Sequence, residues 1–300
     1  MSSITEAVTK KLKLFRRDKV ATLIDGGYES LFQGKGVELD GLREYVAGDS
    51  IQDIDWASTA RTGKTQTKLF AAARDQQILL APDISKSLLI LGHTGLNKRD
   101  ALYGVMAIMG AFVTKNRDTM AVCHNKPDGK VAFSRYGNSR NHIESLLRTV
   151  DATLGQPMDP SYDFNQTLNS IVGITKKRSA IFIVTDGFKD IKPLEQQLMK
   201  LSRRHKLFFI QLAPSTPLST DVSEKIYARD IEFGNLMPLR FLQENQLARE
   251  WSIMTNNYIA SVRKMCRKYG IAFSYLTSED STTKTVMDLF NQASAYARRR

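Results

Sequence analysis

Cysteine, histidine and long apolar runs are all scarce in this chain, and each scarcity removes a class of protein. Only Cys123 and Cys266 occur among 300 residues. They are far apart and belong to no Cys-x-x-Cys pair, so no disulfide framework is expected, and two reduced thiols suit a cytoplasmic protein. The four histidines, His93, His124, His142 and His205, form no i, i+4 pair, which removes the helical zinc pattern. No Gly-x-Ser-x-Gly nucleophile elbow is present. No apolar stretch is long enough to cross a bilayer, and the segment from Met1 to Val8 lacks a signal-peptide apolar core. Acidic residues are also in deficit, 31 against 43 Lys and Arg, for a net charge of +12. That charge admits a polyanion partner, a nucleic acid or an anionic membrane. It is spread over clusters at Lys10-Lys11, Lys13, Arg16-Arg17, Lys176-Lys177-Arg178, Arg203-Arg204 and Arg298-Arg299-Arg300, a pattern that favours a solvated basic surface or a dock for an acidic protein over a polyanion site.

What is present is an ordinary apolar fraction, 42%, and a clear alternation of short apolar runs with helical spacing. Residues 1–32 read as a helical segment. Residues 33–76, punctuated by Gly34, Gly36, Gly41 and Gly48, read as short strands and turns. From 77 to 285 strand candidates at 78–83, 119–124, 180–185, 207–212 and 271–276 alternate with helices at 98–115, 139–154, 163–176, 193–204 and 241–269. This implies an α/β fold with a mostly parallel, doubly wound sheet flanked by helices, preceded by an N-terminal β-rich segment. Residues 286–300 read as a basic tail. Residues 213–240, with Pro214, Pro217 and Pro238, read as an excursion over the sheet edge or a partner-facing surface.

The candidate site is Asp83-Ile84-Ser85-Lys86-Ser87, directly after the apolar run Ile78-Leu79-Leu80-Ala81-Pro82. Alternate residues leaving a strand point the same way, so the oxygens of Asp83, Ser85 and Ser87 are placed to converge. A second strand-end carboxylate, Asp186, follows the run 179–185 and precedes Gly187. In doubly wound sheets ligands bind beyond the carboxyl ends of the strands. Hard oxygen donors without His or Cys suit Mg²⁺, with Mn²⁺ as the alternative. The same residues also make good helix caps and turns, and both readings stand at this level. Gly63-Lys64-Thr65 resembles the end of a Walker A loop, but position 58 is Ser and a strand, not a helix, is expected next. An acid-phosphatase arrangement needs a second carboxylate two residues after the nucleophilic Asp, and position 85 is Ser.

These residues resemble two nested families. Asp83-x-Ser85-x-Ser87 with Asp186 looks like the metal-ion-dependent adhesion site of von Willebrand factor A domains. Gly34-x-Gly36, Leu42-Arg43-Glu44-Tyr45, Gly48-Asp49, Ile54-Asp55-Trp56 and Ala60-Arg61-Thr62-Gly63 look, in order and spacing, like the signature of the bacterial "domain of unknown function 58" family, over roughly residues 30–190. The resemblance implies a von Willebrand factor A-like fold after a β-rich segment and no established enzymatic activity. It also implies partnership with a MoxR-type AAA+ ATPase in chaperone-like maturation of client proteins, through an adhesion-type Mg²⁺ site of Asp83, Ser85, Ser87 and Asp186. A departure lies in the third loop, where Tyr162 stands in place of the usual Thr, and Asp163, Ser161 or a water is left to fill that corner. Arg43, Asp49, Asp55 and Arg61 are expected to form a structural ion-pair network, with Trp56 in the core. The competing expectations are polyanion binding and a Mg²⁺-dependent hydrolase.

Overall fold

The computed structural model describes residues 38–46, 49–71, 76–154, 156, 163–187, 190–215, 227–229, 236–238, 245–278 and 281–298. The expected helical segment 1–32, the glycines Gly34, Gly36 and Gly48, and Ser161 and Tyr162 of the third loop lie outside these residues, as does most of 213–240.

The β-rich segment is an antiparallel pair, β1 (Glu38–Glu44) and β2 (Gln66–Ala71), with a register shift between Leu39 and Gly41. Between the two strands the signature residues form a short helix, α1 (Trp56–Thr62), where only strands and turns were expected. The capping chemistry explains it. Asp55 accepts from the Ser58 N–H at 2.9 Å, and Gly63 ends the helix at φ 71°, a left-handed conformation that glycine adopts without penalty. Gly63-Lys64-Thr65 is thus a helix stop before a strand rather than a phosphate loop.

The central sheet contains β3 (Gln77–Pro82), β4 (Thr119–Asn125), β5 (Val131–Phe133), β6 (Ser179–Thr185), β7 (Lys206–Leu212) and, after the small antiparallel pair β8 (Tyr227–Arg229) and β9 (Leu236–Pro238), β10 (Ala272–Leu276). Their order is β10-β7-β6-β3-β4-β5. Every pairing is parallel except that of β4 with the edge strand β5. Counted within the sheet this is the 3-2-1-4-5-6 order of a doubly wound fold, with the antiparallel edge strand of a von Willebrand factor A-like domain. The order reverses between β3 and β6, the two strands that carry the candidate carboxylates at their ends.

The strands alternate between two cores, as a period-2 pattern buried on both faces requires. Ile78, Leu80, Phe182, Val184, Phe208 and Ile210 face one side. There they pack under α2 (Lys98–Asn116), α3 (Arg140–Leu154) and, at the end of the chain, α7 (Thr282–Arg298). Leu79, Ala81, Ile181, Ile183, Leu207 and Phe209 face the other, under α4 (Phe164–Ile174), α5 (Ile191–Ser202) and α6 (Asn245–Lys268). Both cysteines are buried, and desolvation pushes each thiol up to about 12. They serve as small apolar residues.

The segment expected as a basic tail is a correction. The boundary at 285 falls inside α7, which buries Val286, Leu289 and Phe290 against Phe112, Phe182 and Phe208. Gln292 of the same helix closes the outer edge of β10. It accepts from the Phe273 N–H and donates to the Phe273 carbonyl, both at 3.0 Å, standing in for a neighbouring strand. Among the described residues no helix is long and apolar enough to cross a membrane.

Candidate functional site

The strand register brings the candidate residues together. Pro82 of β3 pairs with Val184 of β6, so Asp83 and Thr185 leave the sheet side by side. The Asp83 N–H donates to the Val184 carbonyl at 2.8 Å, and the Thr185 hydroxyl donates to Asp83 Oδ2 at 2.7 Å. Asn125, buried at the end of β4, then holds the outgoing loop. It accepts from the Ile84 N–H at 3.2 Å and donates to the Ile84 carbonyl at 2.7 Å. The loop turns into a short 3-10 helix, Lys86–Leu89, with Ser85 before it in extended backbone and no side-chain cap. The cap alternative for Asp83, Ser85 and Ser87 is therefore not what the hydroxyls do.

Instead they form a chain ending on Asp186. Ser87 donates to Asp186 Oδ1 at 2.9 Å. That uses the single hydroxyl proton of Ser87, so the 2.6 Å contact between the two serine oxygens is donated by Ser85. Both protons run inward, and Ser85 is left with lone pairs at the half-buried rim. Asp83 and Asp186 are almost completely buried.

The other oxygen of Asp186 is taken by a residue that motif reading did not select. Lys98 Nζ lies 2.6 Å from Asp186 Oδ2 and 2.8 Å from Ser215 Oγ, and Lys98 is 0% exposed. Lys98 is the first residue of α2, after the Asn97 cap that accepts from the Asp100 N–H. A cation in the first turn of a helix opposes the macrodipole, and a buried ammonium is expensive unless matched by charge and hydrogen bonds. Lys98 therefore sits where it does because of Asp186 and Ser215, not because of α2.

Whether the site suits Mg²⁺ is decided by that ammonium. In kind, the donors Asp83, Ser85, Ser87 and Asp186 are those of a hard cation. As arranged, Asp186 Oδ1 and Oδ2 and Asp83 Oδ2 already accept hydrogen bonds. A divalent ion on the serine side of Asp186 would face Lys98 across one carboxylate. At such separations, charges of +2 and +1 repel by several kcal/mol even at the effective dielectric of protein sites. With Lys98 in place the residues do not fit a tightly held divalent ion.

The remaining expected residues fall elsewhere. Asp163 is exposed and caps α4, accepting from the Asn165 N–H at 3.0 Å. Of the expected signature network, one pair forms. Arg43 lies 2.6 Å from Asp49, whose other oxygen accepts from the Val46 N–H, and the guanidinium holds the Asp49 carboxyl below its usual range. Asp55 is the α1 cap, and Arg61 lies exposed in the last turn of α1 with no ion pair among the described residues. Trp56 is a correction: it is 65% exposed, not in the core. In α1 it is Ser58 that turns inward, with Thr59 accepting from the Gln66 N–H, and Trp56 is carried outward.

The missed residues are Lys98, Asn125, Thr185 and Ser215. Lys98 had one signal, a lysine where a helix start favours a carboxylate, but Lys98-Arg99-Asp100 otherwise reads as an ordinary solvated turn. Ser215 carried none.

Comparison with known proteins agrees with the sequence signature. The uncharacterized protein Rv1480 of Mycobacterium tuberculosis is 26% identical over 232 residues, spanning 76% of this chain and 71% of its own length. An aerotolerance-related membrane protein from Bacteroides fragilis aligns at a TM-score of 0.43 and 14% identity, over 72% of this chain and 98% of its own. A von Willebrand factor type A protein from Catenulispora acidiphila aligns at 0.37 and 8%, over 76% and 44%. The fold assignment rests on the strand order itself. The family profile described as "Protein of unknown function DUF58" matches residues 41–234, from the Leu42-Arg43-Glu44-Tyr45 strand through both carboxylate-bearing strand ends, and the chain belongs to that family.

Proposed function

We propose that the chain is a non-enzymatic protein-binding module that docks its partner on the carboxyl edge of the sheet, and that this partner is the MoxR-type AAA+ ATPase implied by the family resemblance, acting with it on client proteins. One observation carries the docking surface. The half-buried Ser85 and Ser87 rim runs directly into three successive aliphatic residues left in solvent: Leu89 at 47% exposure, Ile90 at 37% and Leu91 at 58%. A polar, directional cluster bordered by exposed apolar side chains is the composition of a protein interface. The cluster's hydroxyl protons are spent inward, and the carboxylate that Ser87 donates to is already neutralised by the buried Lys98 ammonium, which favours docking over hydrolysis. The test is binding of the purified ATPase to wild type and to the double variant Leu89→Asp/Leu91→Asp, with circular dichroism to show that the variant is folded. Affinity should drop by about tenfold or more. Equal affinity would sink the surface, and no binding by wild type would sink the partner.

A second reading, polyanion binding, is favoured by a different observation at the opposite edge of the sheet. Lys176, Lys177 and Arg178 precede β6, and Arg203 and Arg204 precede β7, all exposed. Because Ala180 pairs with Lys206, the two clusters meet at the amino ends of adjacent strands. Their crowding is visible in Lys206, whose ammonium is brought down to about 8, first by burial and then by the Arg178 charge. It also shows in His205, held below its usual value by burial and by Arg204 and Arg178.

A further inference from the structure

We infer that Lys98 is the resident cation of the switch-point site. The chain supplies from its own helix the positive charge that an adhesion-type site takes from a metal, and the site keeps its shape without divalent ions. This concerns the cation and not the partner, so it stands or falls independently of the docking proposal.

Three observations carry it. The Lys98 ammonium has no exposed surface and is held between Asp186 and Ser215, so it neutralises the carboxylate that the hydroxyl chain of Ser85 and Ser87 ends on. Its place in the first turn of α2 is electrostatically adverse, so the site, not the helix, accounts for the lysine. And it joins three separate elements, the start of α2, the end of β6 and the segment after β7, as a central ion would. The serines are thereby left ordered by a proton chain instead of by coordination.

Removal of the ammonium should then uncover a site for a real ion. In Lys98→Ala, Asp186 loses its counter-charge while Ser85, Ser87 and Asp83 stay in place, leaving hard oxygens around a space suited to Mn²⁺ or Mg²⁺. The experiment is a Mn²⁺ titration of the full chain, with the free ion read by electron paramagnetic resonance, alongside thermal melting in Mg²⁺ and in EDTA. Wild type should show no saturable Mn²⁺ site and no change in melting temperature between Mg²⁺ and EDTA. Lys98→Ala should bind Mn²⁺ saturably and melt higher as the ion is added, in the manner of a ligand that binds only the native state. A second substitution, Ser87→Ala, should abolish both effects. Saturable Mn²⁺ binding by wild type that Ser87→Ala removes would overturn the inference, and so would a folded Lys98→Ala indifferent to Mn²⁺. Lys98→Met, which keeps the apolar stem, replaces Lys98→Ala if the smaller residue does not fold.

Discussion

Holding the Lys98 ammonium out of water costs several kcal/mol, and Asp186 with Ser215 offsets that cost. The consequence is measurable by a double-mutant cycle in urea. Lys98→Met leaves a buried carboxylate without its counter-ion, and Asp186→Asn leaves a buried ammonium without one. Each should destabilise by about 3–5 kcal/mol, the usual result of breaking one side of a buried pair. The double variant should lose less than the sum, by about 1 kcal/mol or more; strict additivity would mean that the two groups do not interact. At this scale the motif was half legible. Asp83, Ser85, Ser87 and Asp186 could be chosen because each follows a recognisable apolar strand. Lys98 and Ser215 could not, because what gives them meaning is a carboxylate 88 residues from one and near neither in sequence. Trp56 failed for the opposite reason. Its apolar ring argues for the core, but its place on a seven-residue helix turns it outward.

Among the elements, those with a full period were legible and the short ones were not. The strands β3, β4, β6, β7 and β10 are built on nearly continuous apolar runs, as strands buried on both faces must be. Helix α1 was hidden because seven residues are too few for a periodic signal, although its Asp55 and Gly63 caps are in the sequence. Strand β5 is three residues long. Helix α7 does carry its pattern in Val286, Leu289, Phe290 and Ala293, but the terminal arginines made it look like a tail. Packing between elements sets a further prediction. Helix α2 lies so close to α3 that a Cβ built on Gly110 would meet the Ile143 Cγ2 at 2.5 Å, and that methyl cannot swing aside because Ile is branched at Cβ. Gly110→Ala gains about 1 kcal/mol of helix propensity but overpacks the contact, a loss of about 1–3 kcal/mol. Net destabilisation in urea is expected for Gly110→Ala in the wild-type chain, and a gain for the same substitution when both chains compared carry Ile143→Ala. A stabilising Gly110→Ala by itself would show that the two helices separate freely.

Over the whole molecule, the sheet puts two surfaces at opposite ends: the polar and aliphatic rim at the carboxyl edge and the basic cluster at the amino edge. If the basic edge takes a polyanion, binding of a single-stranded oligonucleotide should weaken with salt, with a log–log slope of about −0.7 per phosphate engaged. It should also weaken as pH rises through about 8, where folded Lys206 loses its proton. Binding independent of salt would remove that reading, and binding flat across pH 8 would place Lys206 outside the contact. The runs of apolar residues and the turns between them were enough to specify an α/β sheet, its helices and the strand-end carboxylates, because those depend on periodicity within ten or twenty neighbours. The strand order was beyond them, and with it which clusters of charge became one surface. So was the identity of the cation at the site, because Asp186 meets Lys98 only after β6 has been laid beside β3 and α2 has been packed across the sheet. A pattern of oxygens is a property of local spacing; the charge that neutralises them comes from whatever the fold brings within a hydrogen bond's reach.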